Sequence, residues 1–123
     1  MSHRREQVAL GVYVACFALG AAFHLRDFIA DAPFPYRFGP LPLQVFWTAL
    51  LPLDVATASA ILFGRRRTGV TLALATMVGD VAANSYAWLG LRMWQFGYAV
   101  QLQSLFLGFV VGSAPPLWQG RRR

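Results

Sequence analysis

Two aspartates, Asp54 and Asp80, stand at the centres of apolar runs, Leu43 to Phe63 and Val70 to Gly90, and Asn84 follows Asp80 by one helical turn. An ionised Asp in the middle of a membrane-spanning helix costs roughly 2.5 to 3.5 kcal/mol. Each acid must therefore face another helix or a water-filled cavity, or carry a proton. Asp54 lies ten residues before Gly64 and Asp80 eleven after Gly69. At about 1.5 Å per residue both sit roughly 15 Å from the turn between them, so they share a depth and are expected to face each other. Two neighbouring carboxyls would hold one proton between them, an arrangement suited to proton exchange or to acid and base work inside a membrane. The plainer role is hydrogen bonding across helices with Asn84 and Thr48, at about 1 kcal/mol per contact, which would fix the bundle and nothing more.

The same depth argument collects a wider polar set near one membrane face: His24, Thr48, Asn84, Gln101, Gln103 and Ser104. Five of these, Asn84, His24, Thr48, Gln101 and Ser104, together with Asp54 and Asp80 are the candidates for binding a ligand or a proton; none is assigned a catalytic role. His24 has no second histidine at metal-ligand spacing, so no metal is expected, and an interfacial or capping role is favoured over a ligand role. Cys16 stands alone and reads as a small packing residue. No cofactor motif is present, so no cofactor is expected.

The elements that must hold these residues follow from composition. Of the 123 residues, 57% are hydrophobic and 13% charged, too little polar surface for a water-soluble domain of this size. Four runs approach the roughly 20 residues needed to cross a bilayer: 8–25, 43–63, 70–90 and 98–118. The expected fold class is all-α, an integral membrane four-helix bundle running up-down-up-down, one domain over 1–123, with an external loop at 26–42 and a cytoplasmic turn at 64–69. His3, Arg4 and Arg5 ahead of the first run, with Gly20-Ala21-Ala22 inside it, also fit a secretory signal, but the run continues through Phe23 and Leu25 and a retained span is favoured. Tyr13, Phe17, Gly20 and His24 should form its inward stripe. Pro52 should kink the second span next to Asp54, and Pro115-Pro116 should break the fourth. The loop 26–42, rich in proline and aromatics, suits either an interfacial segment or a lid.

All eleven basic residues are arginine. Eight of them, at positions 4, 5, 65, 66, 67, 121, 122 and 123, fall on one side of the four-span arrangement, which places both termini in the cytoplasm. The absence of lysine suggests a GC-rich bacterial genome, hence an inner membrane. Arginines gathered at span ends explain the +6 charge without nucleic acid. The tryptophans Trp47, Trp88, Trp94 and Trp118 read as interfacial anchors. Gln101, Ser104, Gly108 and Gly112 form one stripe containing GxxxG, expected more often to pack internally than to join two copies, although a homo-oligomer through Gly108 and Gly112 is the alternative.

The segments HLRD, PYRFGPLPLQVFWT, LD, GDVAANSY and QLQSLFLGFVVGSAP resemble the signature of a small four-span bacterial membrane protein family, a resemblance that brings no activity with it. The chain is also similar in topology to the EXPERA type of four-span sterol isomerases and lipid-binding proteins, in span count, in an acid on the second span and in an aromatic-rich first connection. That likeness implies a lipid-like ligand near Asp54 and Asp80 and, at lower weight, an isomerase-like activity. Small multidrug-resistance transporters have similar length but carry their acid in the first span, which here has none. The expected function is a multi-pass membrane protein with a buried acidic site for a small or lipid-like ligand; the alternatives are a proton-coupled carrier and a purely structural protein whose partner is the bilayer.

Overall fold

A computed structural model describes residues 1–120, and the arginines at 121–123 that contribute to the sidedness count lie outside the described residues. Four helices carry the chain: α1 (His3–Ala30), α2 (Leu41–Leu62), α3 (Arg66–Ser85) and α4 (Gly97–Gln119). Ser2 caps α1, its hydroxyl accepting from the Arg5 backbone N–H at 3.3 Å. α2 begins where Pro40 holds extended backbone and Pro42 occupies the first turn, where a missing N–H costs nothing. Three stretches, His3–Ala30, Leu41–Leu62 and Trp94–Gln119, are long and apolar enough to cross a membrane. α3 is the polar exception because it trades leucine for Thr, Gly, Asp80 and Asn84 on the face it buries. Large apolar side chains cover the outside of the bundle, among them Ile29, Leu41, Phe63, Leu102 and Leu105, as a lipid environment requires.

Several boundaries differ from those that hydropathy suggests. α1 continues five residues past Leu25 to Ala30, so the first connection shrinks from 26–42 to 31–40. Hydropathy marks where the apolar run stops, and nothing in Arg26-Asp27-Phe28 stops a helix. The second turn is likewise shorter than 64–69, with Gly64 at φ 78° reversing the chain and α3 starting at Arg66. Pro115 and Pro116 do not break α4, which runs on to Gln119. Their φ suits a helix, and beyond them Leu117 is fully buried while Trp118 donates to the Thr71 hydroxyl at 3.2 Å, so packing holds the last turn. After Ser85 the helix widens into one π-turn, Tyr86–Gly90, with the Leu91 N–H reaching the Tyr86 carbonyl.

Each helix packs against the next in sequence, and α1 meets α4 through Tyr13, whose hydroxyl donates to the Val110 carbonyl at 3.2 Å. Two cores result. One, toward the arginine end, joins Tyr13, Phe17, Ala58, Ile61, Val70, Ala73, Met77, Val110 and Leu117. The other, toward the loop end, joins Tyr36, Leu43, Trp47, Leu50 and Ala87. The arginine end is tied by Arg66, which donates to Glu6 at 3.4 Å, and by Arg67, which lies over the Trp118 ring at 4.8 Å and donates to its carbonyl.

Candidate ligand cavity at the loop end

Asn84 is the centre of the first of two side-chain networks. Its amide donates to Asp80 Oδ1 and to Gln103 Oε1, both at 2.9 Å, and its carbonyl accepts from the Trp47 indole at 2.7 Å. Three helices are joined by one buried amide. The spacing of four residues places Asn84 over Asp80 on α3, and the register of α2 brings Trp47, Leu50, Asp54 and Thr57 onto its buried face.

The second network hangs on Tyr36. This loop residue is buried because Gly39 lets the chain lie flat on Trp47: a Cβ at Gly39 would sit 2.5 Å from the indole. The Gly39 carbonyl is fixed by the Gln44 side chain at 2.6 Å. The Tyr36 hydroxyl donates to Asp27 Oδ2 at 2.9 Å and lies 2.7 Å from His24 Nδ1. Having one proton to give, Tyr36 must receive the proton of Nδ1, which leaves Nε2 of His24 turned toward Asp54 Oδ2 at 3.8 Å. Burial, together with the Asp27 carboxylate beside it, holds the Tyr36 phenol above the ordinary tyrosine range, so it remains a donor. The order Asp27, Tyr36, His24, Asp54 runs from the cavity mouth into the bundle. Asp54 itself lies against Gly20, where a Cβ would come within 2.7 Å of Oδ2.

Both networks border one cavity of about 380 Å³. His24, Asp27, Tyr36, Asp80, Asn84 and Gln103 supply its polar wall, and Phe38, Trp47, Leu50 and Phe96 its apolar one. The aromatic wall is stacked: Trp47 on Phe96 at 5.2 Å between centroids and 9° between planes, and Phe38 on Trp47 at 5.5 Å. Asp31 also lines the mouth, so three carboxylates and no arginine border the space.

Of the seven residues singled out from sequence, the structure brings His24, Asp80 and Asn84 to this cavity and Asp54 to its edge beside His24. Each acid has its own partner, His24 for Asp54 and Asn84 for Asp80. Thr48, Gln101 and Ser104 are exposed on the outside of the bundle and contribute nothing. α4 turns a different stripe inward, Gln103, Phe106, Val110, Ala114 and Leu117, and leaves Gly108 and Gly112 on the outside, where added Cβ atoms would meet nothing within 4 Å. The internal packing expected of GxxxG is therefore not its role. Trp47 is not an interfacial anchor but a buried donor, 2% exposed. Tyr36 and Asp27 were not chosen from sequence, and Gln103 was placed in the polar set at this membrane face without being made a candidate. Only Gln103 left a signal, since it heads the apolar stripe that continues through Phe106 and Val110. No protein-family model, curated protein or solved structure matches the chain.

Proposed function

We propose that the chain is a multi-pass protein of a bacterial inner membrane, crossing it four times with both termini cytoplasmic, and that its outward-facing cavity binds a small organic cation of the amine class. The observation that carries this reading is the lining: carboxyl groups of Asp27, Asp80 and Asp31, the last paired with Arg37 at 3.3 Å from outside the lining, and four aromatic rings. Carboxylates supply charge and hydrogen-bond acceptors, and aromatic faces attract ammonium groups by about 0.5 to 2 kcal/mol each. A volume near 380 Å³ has room for about a dozen water-sized groups at ~30 Å³ each, the scale of an amine with one or two rings. The topology is supported by the arginine end, where the starts of α1 and α3 meet the end of α4 through Glu6–Arg66 and Arg67–Trp118.

The test is a calorimetric titration of the full chain in neutral detergent with tetraethylammonium. Saturable binding, weakened tenfold or more by Asp80→Asn without loss of thermal stability, is the expected result. No saturable binding, or binding indifferent to Asp80→Asn, overturns it. Asparagine keeps the acceptor that Asn84 needs and removes the capacity for charge.

One observation favours a second reading, proton-coupled transport: the relay Asp27–Tyr36–His24–Asp54 leads from the mouth into the bundle. In proteoliposomes holding a pH-sensitive dye, amine addition would then move protons, and Tyr36→Phe would stop that movement while sparing amine binding.

A further inference from the structure

At the arginine end, away from the amine cavity and independent of it, α1 and the α2–α3 turn enclose a hollow of about 690 Å³ bordered by Arg65, Arg66, Arg67, Thr68 and Gln7. A second hollow of about 410 Å³ continues from it along α1 and α2, sharing Gln7, Leu10, Ile61 and Leu62 and adding Gly11, Val14 and Ala15. The first is polar and cationic; the second is a trough of apolar side chains. Of the three arginines, Arg66 is partly neutralised by Glu6 at 3.4 Å, and Arg67 leans on Trp118. The Arg65 side chain has no hydrogen-bond or ion-pair partner among the described residues and borders the mouth. Gly11 keeps the trough open, since a Cβ there would meet nothing within 4 Å.

We infer that this groove holds one anionic glycerophospholipid, its phosphate in the arginine mouth and one acyl chain lying over Gly11 between Leu10 and Leu62. Charge complementarity selects an anion, because three guanidinium groups face one carboxylate. The apolar continuation selects a lipid over free phosphate: a solvated anion gains nothing from Leu10, Val14 and Ile61, whereas an acyl chain packs against them. The two hollows meet at Leu62, beside the chain reversal at Gly64.

The experiment uses the full chain purified in neutral detergent, with thermal unfolding followed during titration by phosphatidylglycerol, phosphatidylcholine or inorganic phosphate, and native mass spectrometry counting retained lipid. Phosphatidylglycerol is expected to stabilise saturably with one lipid retained, and phosphatidylcholine and inorganic phosphate are not. Arg65→Gln should weaken phosphatidylglycerol binding about fivefold. Gly11→Leu should displace the lipid by filling the trough, without lowering the stability of the lipid-free protein. Equal stabilisation by phosphatidylcholine would mean the arginines select nothing, and equal stabilisation by inorganic phosphate would mean the trough holds no chain; either overturns the inference, as does unchanged binding in both variants.

Discussion

The two halves of the bundle satisfy their buried polar groups in different ways. Toward the arginine end the partners are mostly backbone: Thr57 donates to the Leu53 carbonyl at 2.8 Å, and the Tyr13 hydroxyl donates to that of Val110 at 3.2 Å while lying 2.8 Å from Ser113 Oγ, itself 2.7 Å from the Phe109 carbonyl. Toward the loop end the partners are other side chains, drawn from different helices and from the loop, as in Trp47–Asn84–Asp80 and Asp27–Tyr36–His24. A hydroxyl bonded to its own helix can be deleted with little consequence for its neighbours. An amide that serves three other side chains cannot, and the space that such networks leave open is the cavity. The difference teaches how the two halves are built: the first is packing, and the second is a built polar surface.

The sharpest way to break that contrast is Asn84→Leu, which strands Trp47, Asp80 and Gln103 together; at roughly 1 kcal/mol per orphaned partner the loss should be about 3 kcal/mol, read as a fall in unfolding midpoint in detergent. Asn84→Asp, which keeps one acceptor, should cost less. Gly20→Ala comes next, at about 1 to 3 kcal/mol, because the new methyl must push the Asp54 carboxyl from its place beside His24. By contrast, Thr57→Val should cost about 1 kcal/mol or less, and a cost equal to that of Asn84→Leu would dissolve the distinction between the halves. Tyr36 gives a pH-dependent version. A phenol kept protonated by the fold lends stability that is fully present below its unfolded value of about 10 and is lost as pH rises beyond it. The unfolding midpoint of the native chain should therefore fall more steeply above about pH 10 than that of Tyr36→Phe, and parallel curves would contradict the assignment. The smallest effect belongs to Gly108→Ala, expected within about 0.5 kcal/mol of the native chain because the position faces open space.

Four helices were legible because long apolar runs announce themselves, and so were Asp54 and Asp80, since a carboxyl inside such a run must face inward, with Asn84 one turn from Asp80 and His24 on the stripe of Tyr13 and Phe17. Sequence gives depth readily, but it gives facing only where a stripe is unambiguous. On α4 two stripes competed, one marked by Gln101, Ser104, Gly108 and Gly112 and the other by Gln103, Phe106, Val110 and Leu117; the small residues suggested contact, and the larger apolar ones made it. Thr48 shares the depth of Trp47 but stands about 100° around the helix from it, so nearness along the chain misled for both. Tyr36 and Asp27 were hidden for another reason. A loop has no periodicity, and the burial of Tyr36 depends on Gly39 lying against Trp47, a long-range fit that no local pattern records.

The central claim is that charge, and not shape alone, governs what enters the loop-end cavity. It is tested most directly by comparing the binding of a trimethylammonium compound with that of its neutral tert-butyl isostere to the full chain, using the quenching of Trp47 fluorescence in a variant whose other three tryptophans are phenylalanine. The account predicts that the cation binds at least tenfold more tightly and that Asp80→Asn brings the two affinities together. Equal affinity of the native cavity for both compounds would contradict it.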